Sequence, residues 1–168
     1  MQTSIKFFLS TTSNFFLNII VITLSNKIYN CSVPTHFMLG DHLGLKEALD
    51  KGFISKDVKR AIVHGNPDRV SEQAKLLKGA KLVAKKRGFI TYVGEYNSAK
   101  IMISSTGMGS GSASIAIEEL IEFGIEKIIR VGTCGGYLNE IKPGDLVVPT
   151  ATLIETPVLR YLYPNYMH

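Results

Sequence analysis

The stretch IMISSTGMGSGSASIAIEELIEFGIEKIIRVGTCGG, residues 101–136, leaves few folds open to the chain, because four structural pieces follow one another in it with almost no spare residues. Residues 101–105 form a short apolar run suited to a buried strand, and 106–111 a glycine-rich turn. Helical spacing follows over 112–123, with Ile115, Ile117, Leu120 and Ile121 as apolar positions and Gly124 where a helix stops. Residues 127–131 read as a second buried strand, closed by a second small-residue turn at 132–136. A strand, turn, helix, strand unit builds a parallel sheet, so the fold class is α/β. Both turns then lie at carboxyl ends of strands, the edge where such sheets bind ligands.

The first turn suits an anion. Gly107 and Gly109 let the backbone approach a ligand closely, and the helix start offers unpaired N–H groups with partial positive charge. The dinucleotide fingerprint fits poorly. It needs a third Gly or Ala where Ser112 stands, and an acidic residue at the end of the second strand where Arg130 stands. The Gly-Lys-Ser/Thr of a nucleotide-triphosphate loop is missing from the sequence.

Around this turn, Ser105-Thr-Gly-Met-Gly109, Ser112-Ala-Ser-Ile115, Glu119-Leu120 and Arg130-Val-Gly-Thr-Cys-Gly135 resemble a known signature. It is that of the nucleoside phosphorylase family, which includes uridine phosphorylases and hexameric purine nucleoside phosphorylases. Gly111 stands where that signature usually has Pro or Ala. Upstream, Gly65-Asn-Pro-Asp-Arg69 resembles the family's first phosphate loop, with Asn66 in place of the usual Asp. Arg87-Gly-Phe with Tyr92-x-Gly94-x-Tyr96 resembles its next segment, and the resemblance runs from about His36 to Glu155.

The remaining chain is read in order. Residues 1–33 are set apart as an apolar leader or appended segment, and 34–168 as a partial nucleoside phosphorylase domain. The apolar core 15–24 is short for a membrane span and suits a signal-peptide h-region better, though a small-residue cleavage site is poor. A targeting segment and a leader outside the fold both stay open, so a cytoplasmic location has export as its alternative. Two cysteines, Cys31 and Cys134, give no disulfide framework and fit a reducing compartment. A helical piece is expected over 45–52, a strand over 61–64, and a helix over 67–77 with Pro67 in its first turn. Strands are expected over 81–86, 89–96 and 100–105, with a turn at Asn97-Ser98, then over 144–149 and 150–155. The net charge of +5 is scattered, and its densest cluster, Lys85-Lys86-Arg87, has no aromatic platform, so nucleic acid is not an expected partner.

The resemblance implies a three-layer fold with a central mixed sheet, without the family's carboxyl-terminal part. It implies phosphorolysis of the N-glycosidic bond of a uridine or purine nucleoside, giving free base and pentose 1-phosphate. Gly65, Arg69, Arg130, Thr133 and a neighbouring subunit's Arg87 would bind phosphate, with Arg69 and Arg130 the residues on which catalysis rests. Met108 and Gly109 would line the sugar, and Cys134 and Gly135 would border the base. His42 or His36 would be the family histidine that reaches a neighbouring active site, so a homo-oligomer is implied. Inorganic phosphate is the co-substrate, with no metal or organic cofactor. Nucleosidases of the same superfamily cleave the bond with water and need no phosphate clamp; the joint presence of three arginines favours phosphate. After Glu155 there is no counterpart of the family's ribose-binding and base-selecting segments, so a non-catalytic phosphate-binding or interaction fragment is the alternative of another class.

Overall fold

The computed structural model of the protein describes residues 19–20, 23–25, 40–136 and 138–149. Two short strands precede the main body, β1 (Ile19–Ile20) and β2 (Thr23–Ser25). Helix α1 (Leu45–Asp50) leads to β3 (Arg60–His64) and α2 (Pro67–Ala74). Then come β4 (Lys78–Lys86), β5 (Phe89–Tyr96) and β6 (Ala99–Ser105). Helix α3 (Ser110–Phe123), β7 (Lys127–Arg130) and β8 (Leu146–Val147) complete the described elements.

One mixed sheet runs in the order β2-β7-β3-β6-β5-β4. Strand β3 is parallel to both β6 and β7, while β4, β5 and β6 form an antiparallel meander and β2 is antiparallel to β7. The unit β6-α3-β7 therefore crosses over β3, as expected of two strands joined through a helix. A second, two-stranded parallel pairing joins Ile19–Ile20 to Leu146–Val147, all that is described as strand within the expected 144–149; residues 150–155 lie outside the described residues.

Alternation along the strands sends side chains to two faces, each covered by helix, which makes three layers. On one face Ala61, Val63, Met102 and Ile128 pack against Leu45 and Ala48 of α1 and Ala116, Leu120 and Phe123 of α3. On the other, Ile103, Ile62 and Ile101 pack against Val70 of α2 and Leu77. Leu120 and Val70 are fully buried, and each such side chain stabilises the fold by about 1.5–3 kcal/mol relative to exposure.

Where element ends differ from the sequence reading, hydrogen bonding gives the reason. Helix α2 closes three residues before 77 because Lys75, Leu76 and Leu77 donate to carbonyls three residues back, so its last turn is wound tighter. Asn66 caps its start: Asn66 Oδ1 accepts from the Asp68 N–H at 2.9 Å, ahead of Pro67. Helix α3 begins at Ser110, two residues early, because the Gly109 carbonyl already accepts from Ala113. Asn97 and Ser98 both take positive φ, 47° and 64°, and turn β5 into β6.

Candidate functional site

Register brings three turns to one edge of the sheet. His64 is opposite Ser105 and Val63 is opposite Arg130, so parallel strands β3, β6 and β7 all end together. The turns are tied beyond the last ladder pair. The Thr106 amide donates to the His64 carbonyl at 2.7 Å, and the Val131 amide donates to the Val63 carbonyl at 2.9 Å. Thr91, Ser104, Ser105 and Thr106 are fully buried behind this edge, and each is bonded: Thr91 Oγ1 to Ser104 Oγ at 2.8 Å, and Ser105 Oγ accepting from Ile90 N at 2.9 Å. Polar groups so deep in a sheet are tolerated only when satisfied, and here they fix the floor of the edge.

Above that floor is a cradle of backbone and guanidinium. A Cβ placed on Gly65 would stand 3.4 Å from the Gly107 carbonyl oxygen and 3.9 Å from Arg130 Nη2, so the first and second loops close on each other beside that guanidinium. Gly107 has φ 67°, and a Cβ there would strike Ser112 Oγ. Ser112 in turn donates to the Thr106 carbonyl at 2.6 Å, holding the turn against the start of α3. Ser112, which spoils a dinucleotide fingerprint, is thus a brace for the glycine turn.

Arg130 lies half-buried at the end of β7 and folds back over Gly132, where a Cβ would stand 3.1 Å from Nη1. Arg69 projects, exposed, from the first turn of α2. Both disfavour the charged form of the buried His64 ring. Among the described residues none of Arg69, Arg87 and Arg130 has a carboxylate partner, including Asp68 and Glu72, which are the nearest in sequence to Arg69. A half-buried guanidinium without a counter-charge is costly to hold, and an anion between the loops removes that cost.

His64 is the residue that the sequence reading left as strand core. It is 4% exposed, its Nε2 lies 2.5 Å from Gln73 Oε1, and its Nδ1 is buried without a hydrogen-bond partner among the described residues. Burial depresses its pKa below the ordinary 6.5, the Gln73 amide favours the charged ring, and Arg69 and Arg130 oppose it. The signal was present in the sequence: a histidine directly before a glycine loop, with Gln73 nine residues on, in the last turn of the helix after.

Other expected site residues lie around or away from the cradle. Met108 is 92% exposed and Gly109, φ 87°, caps α3 beside it. Thr133, Cys134 and Gly135 follow β7 in its turn, Thr133 and Gly135 exposed and Cys134 half-buried. Arg87 is at the exposed tip of the β4–β5 hairpin with φ 52°, and it lines an open groove of about 540 Å³ with Pro67, Asp68 and Phe89. His42 is not in the cradle. Its Nδ1 and its amide lie 2.5 Å and 2.8 Å from Glu119 Oε1, while the Leu43 amide donates to Oε2 at 2.8 Å. Glu119 lies about 15 Å along α3 from its capped start at the turn, at 1.5 Å per residue. His36 lies outside the described residues.

A family model described as the phosphorylase superfamily matches residues 59–166. The chain is 41% identical over 93 residues to a uridine phosphorylase of Escherichia coli (strain K12), an alignment covering 55% of this chain and 37% of that one. It is 40% identical over 95 residues to a guanosine phosphorylase of Halorubrum lacusprofundi, covering 56% and 39%. The crystal structure of uridine phosphorylase from Vibrio fischeri ES114 matches with 36% identity and a TM-score of 0.49, over 55% of this chain and 37% of that chain. The chain spans about two-fifths of the length of these curated relatives. Among the described residues no helix is long and apolar enough to cross a membrane.

Proposed function

The chain belongs to the phosphorylase superfamily, and from that premise we propose that its sheet-edge cradle binds inorganic phosphate for the phosphorolysis of a nucleoside. Uridine or a purine nucleoside is the substrate. A phosphate oxygen attacks the anomeric carbon, the N-glycosidic bond breaks, and the base departs with the bonding electrons and takes up a proton, leaving pentose 1-phosphate.

The single observation that carries this is Arg130, half-buried, turned toward Gly65 and without a carboxylate partner among the described residues. A dianion held by Arg69, Arg130, the Gly65 loop and Thr133 would sit beneath the sugar. There it is positioned for attack, and its charge stabilises the cationic character that develops at the anomeric carbon. Met108 and Gly109 on the sugar side, and Cys134 and Gly135 on the base side, border the remaining space. Arg87, exposed at a hairpin tip, and His42 or His36 are assigned to a neighbouring subunit's site in a homo-oligomer. The reaction as proposed takes phosphate as co-substrate, uses no metal or organic cofactor and runs in the cytoplasm.

A second outcome is phosphate binding without turnover. Base release from uridine, inosine and guanosine, measured with and without phosphate, separates the possibilities. Release that requires phosphate supports phosphorolysis. Release in phosphate-free buffer means hydrolysis, and a folded chain that binds phosphate yet releases no base means binding alone.

A further inference from the structure

We infer that His64 is a conditional third cation of the anion site: its imidazole takes up a proton from solvent when a dianion docks between Gly65, Arg69 and Arg130, and so favours dianions over monoanions. This rests on the anion-binding reading of the cradle and adds to it a residue outside the phosphate clamp.

Placement comes first. His64 directly precedes Gly65, and its carbonyl accepts both the amide and, at 3.2 Å, the hydroxyl of Thr106, so its backbone is part of the joint between the two loops. The ring is 4% exposed and cannot rotate out without breaking its 2.5 Å contact with Gln73. Gln73 Oε1 accepts one ring proton, from Nε2, which leaves Nδ1 of the neutral ring as a buried lone pair without a partner. Backbone hydrogen bonding at Val131 favours the charged form of the ring. A second proton, on Nδ1, therefore goes to a ring nitrogen that no other described group engages.

What holds the proton off is charge and burial. The groups that act on the ring are Gln73 and Arg69 from α2 and, at the end of β7, the Val131 main chain and Arg130. The charged members of that set are two guanidinium groups, and no carboxylate among the described residues offsets either. A dianion between them cancels their combined charge, and the ring is then desolvated but no longer repelled. A monoanion cancels half of it. Binding and protonation favour each other by the same factor, because linkage is reciprocal.

Sulfate is the probe, since it stays dianionic across the relevant pH range whereas phosphate itself exchanges a proton there. Titration calorimetry of the whole chain with sulfate at pH 5.5 to 8, in buffers of differing ionisation enthalpy, reads proton uptake directly. The expected result is uptake on binding and affinity that tightens as pH falls, by roughly tenfold for each unit the anion adds to the ring's pKa. Histidine ring NMR of the wild type follows the same event without a variant: the His64 resonance titrates at higher pH with sulfate than without. In His64→Gln, sulfate still binds and the uptake disappears. Sulfate binding to the wild type with no proton uptake and an unmoved His64 resonance overturns the inference and leaves the anion site standing. Failure of sulfate and phosphate to bind at all overturns both.

Discussion

Thr106 and His64 are joined twice, main-chain amide to carbonyl at 2.7 Å and hydroxyl to the same carbonyl at 3.2 Å. This pair makes one rigid element of the loop after β3 and the glycine turn after β6, although 42 residues separate them in sequence. Precision at the cradle follows from that joint, because a shift of either loop would have to break a buried bond in which both partners are satisfied.

Gly107 tests how closely the turn is packed. An alanine there must adopt φ 67°, which costs about 1–2 kcal/mol, and its Cβ meets Ser112 Oγ. Gly107→Ala is expected to lower stability by at least that amount in chemical denaturation and to abolish phosphate binding. Adding Ser112→Ala relieves the collision but not the backbone strain, so stability recovers in part.

Glu119 is the post on which the segment before α1 hangs. It is 7% exposed and accepts from the His42 and Leu43 amides and contacts the His42 ring. Glu119→Ala leaves these groups without their acceptor and is expected to cost about 3 kcal/mol by equilibrium unfolding. Lys46→Ala, which removes only an exposed pair with Glu122, changes stability by less than about 1 kcal/mol.

Acid should weaken the fold through His64 before Asp41, Glu47 or Asp57 titrates. Burial, with Arg69 and Arg130, holds the ring's folded pKa below 6.5, so below that pH the unfolded chain binds more protons than the folded one. Stability is full above pH 6.5 and declines as pH falls through the window down to the depressed folded value. Asp41, Glu47 and Asp57 all titrate below their ordinary 3.8 to 4.5 in the fold, and therefore contribute their losses at lower pH. Thermal unfolding between pH 7.5 and 5.5 is expected to show a drop in Tm for the wild type and a flatter profile for His64→Gln.

The strand, turn, helix, strand unit was legible because hydrophobic runs, two glycine turns and Gly124 agree on it, and β3, β5, β6, α3 and β7 fall within two residues of their expected bounds. Strand order was not, since placing β3 between β6 and β7 is decided by packing across the sheet, and no local pattern encodes it. For the site, Gly65 and Arg130 could be paired only through family resemblance, because their approach depends on register between strands far apart in sequence. His64 was missed for a different reason: on a buried strand, a histidine reads as core until its neighbours are known.

Arg87 is a residue whose sequence context hid its conformation. Set in sequence between the strands expected over 81–86 and 89–96, it occupies the left-handed region, φ 52°, ahead of Gly88 at 84°. Such a turn favours Asn-Gly, so Arg87→Asn is expected to stabilise the fold by about 0.5–1 kcal/mol. A rise in Tm together with weaker phosphate affinity in the oligomer marks a position kept for its guanidinium at the expense of stability. A fall in Tm contradicts the strain assigned to it.

The most direct measurement compares phosphate affinity, by calorimetry at one ionic strength, in the wild type, Arg130→Ala and Arg60→Ala. The two substitutions remove the same charge, but Arg60 opens β3, at the opposite end of that strand from the cradle. The expected result is binding by the wild type and Arg60→Ala, with binding lost in Arg130→Ala while its fold, read by circular dichroism, is retained. Equal affinity in all three proteins would contradict the anion site and the phosphorolysis built on it.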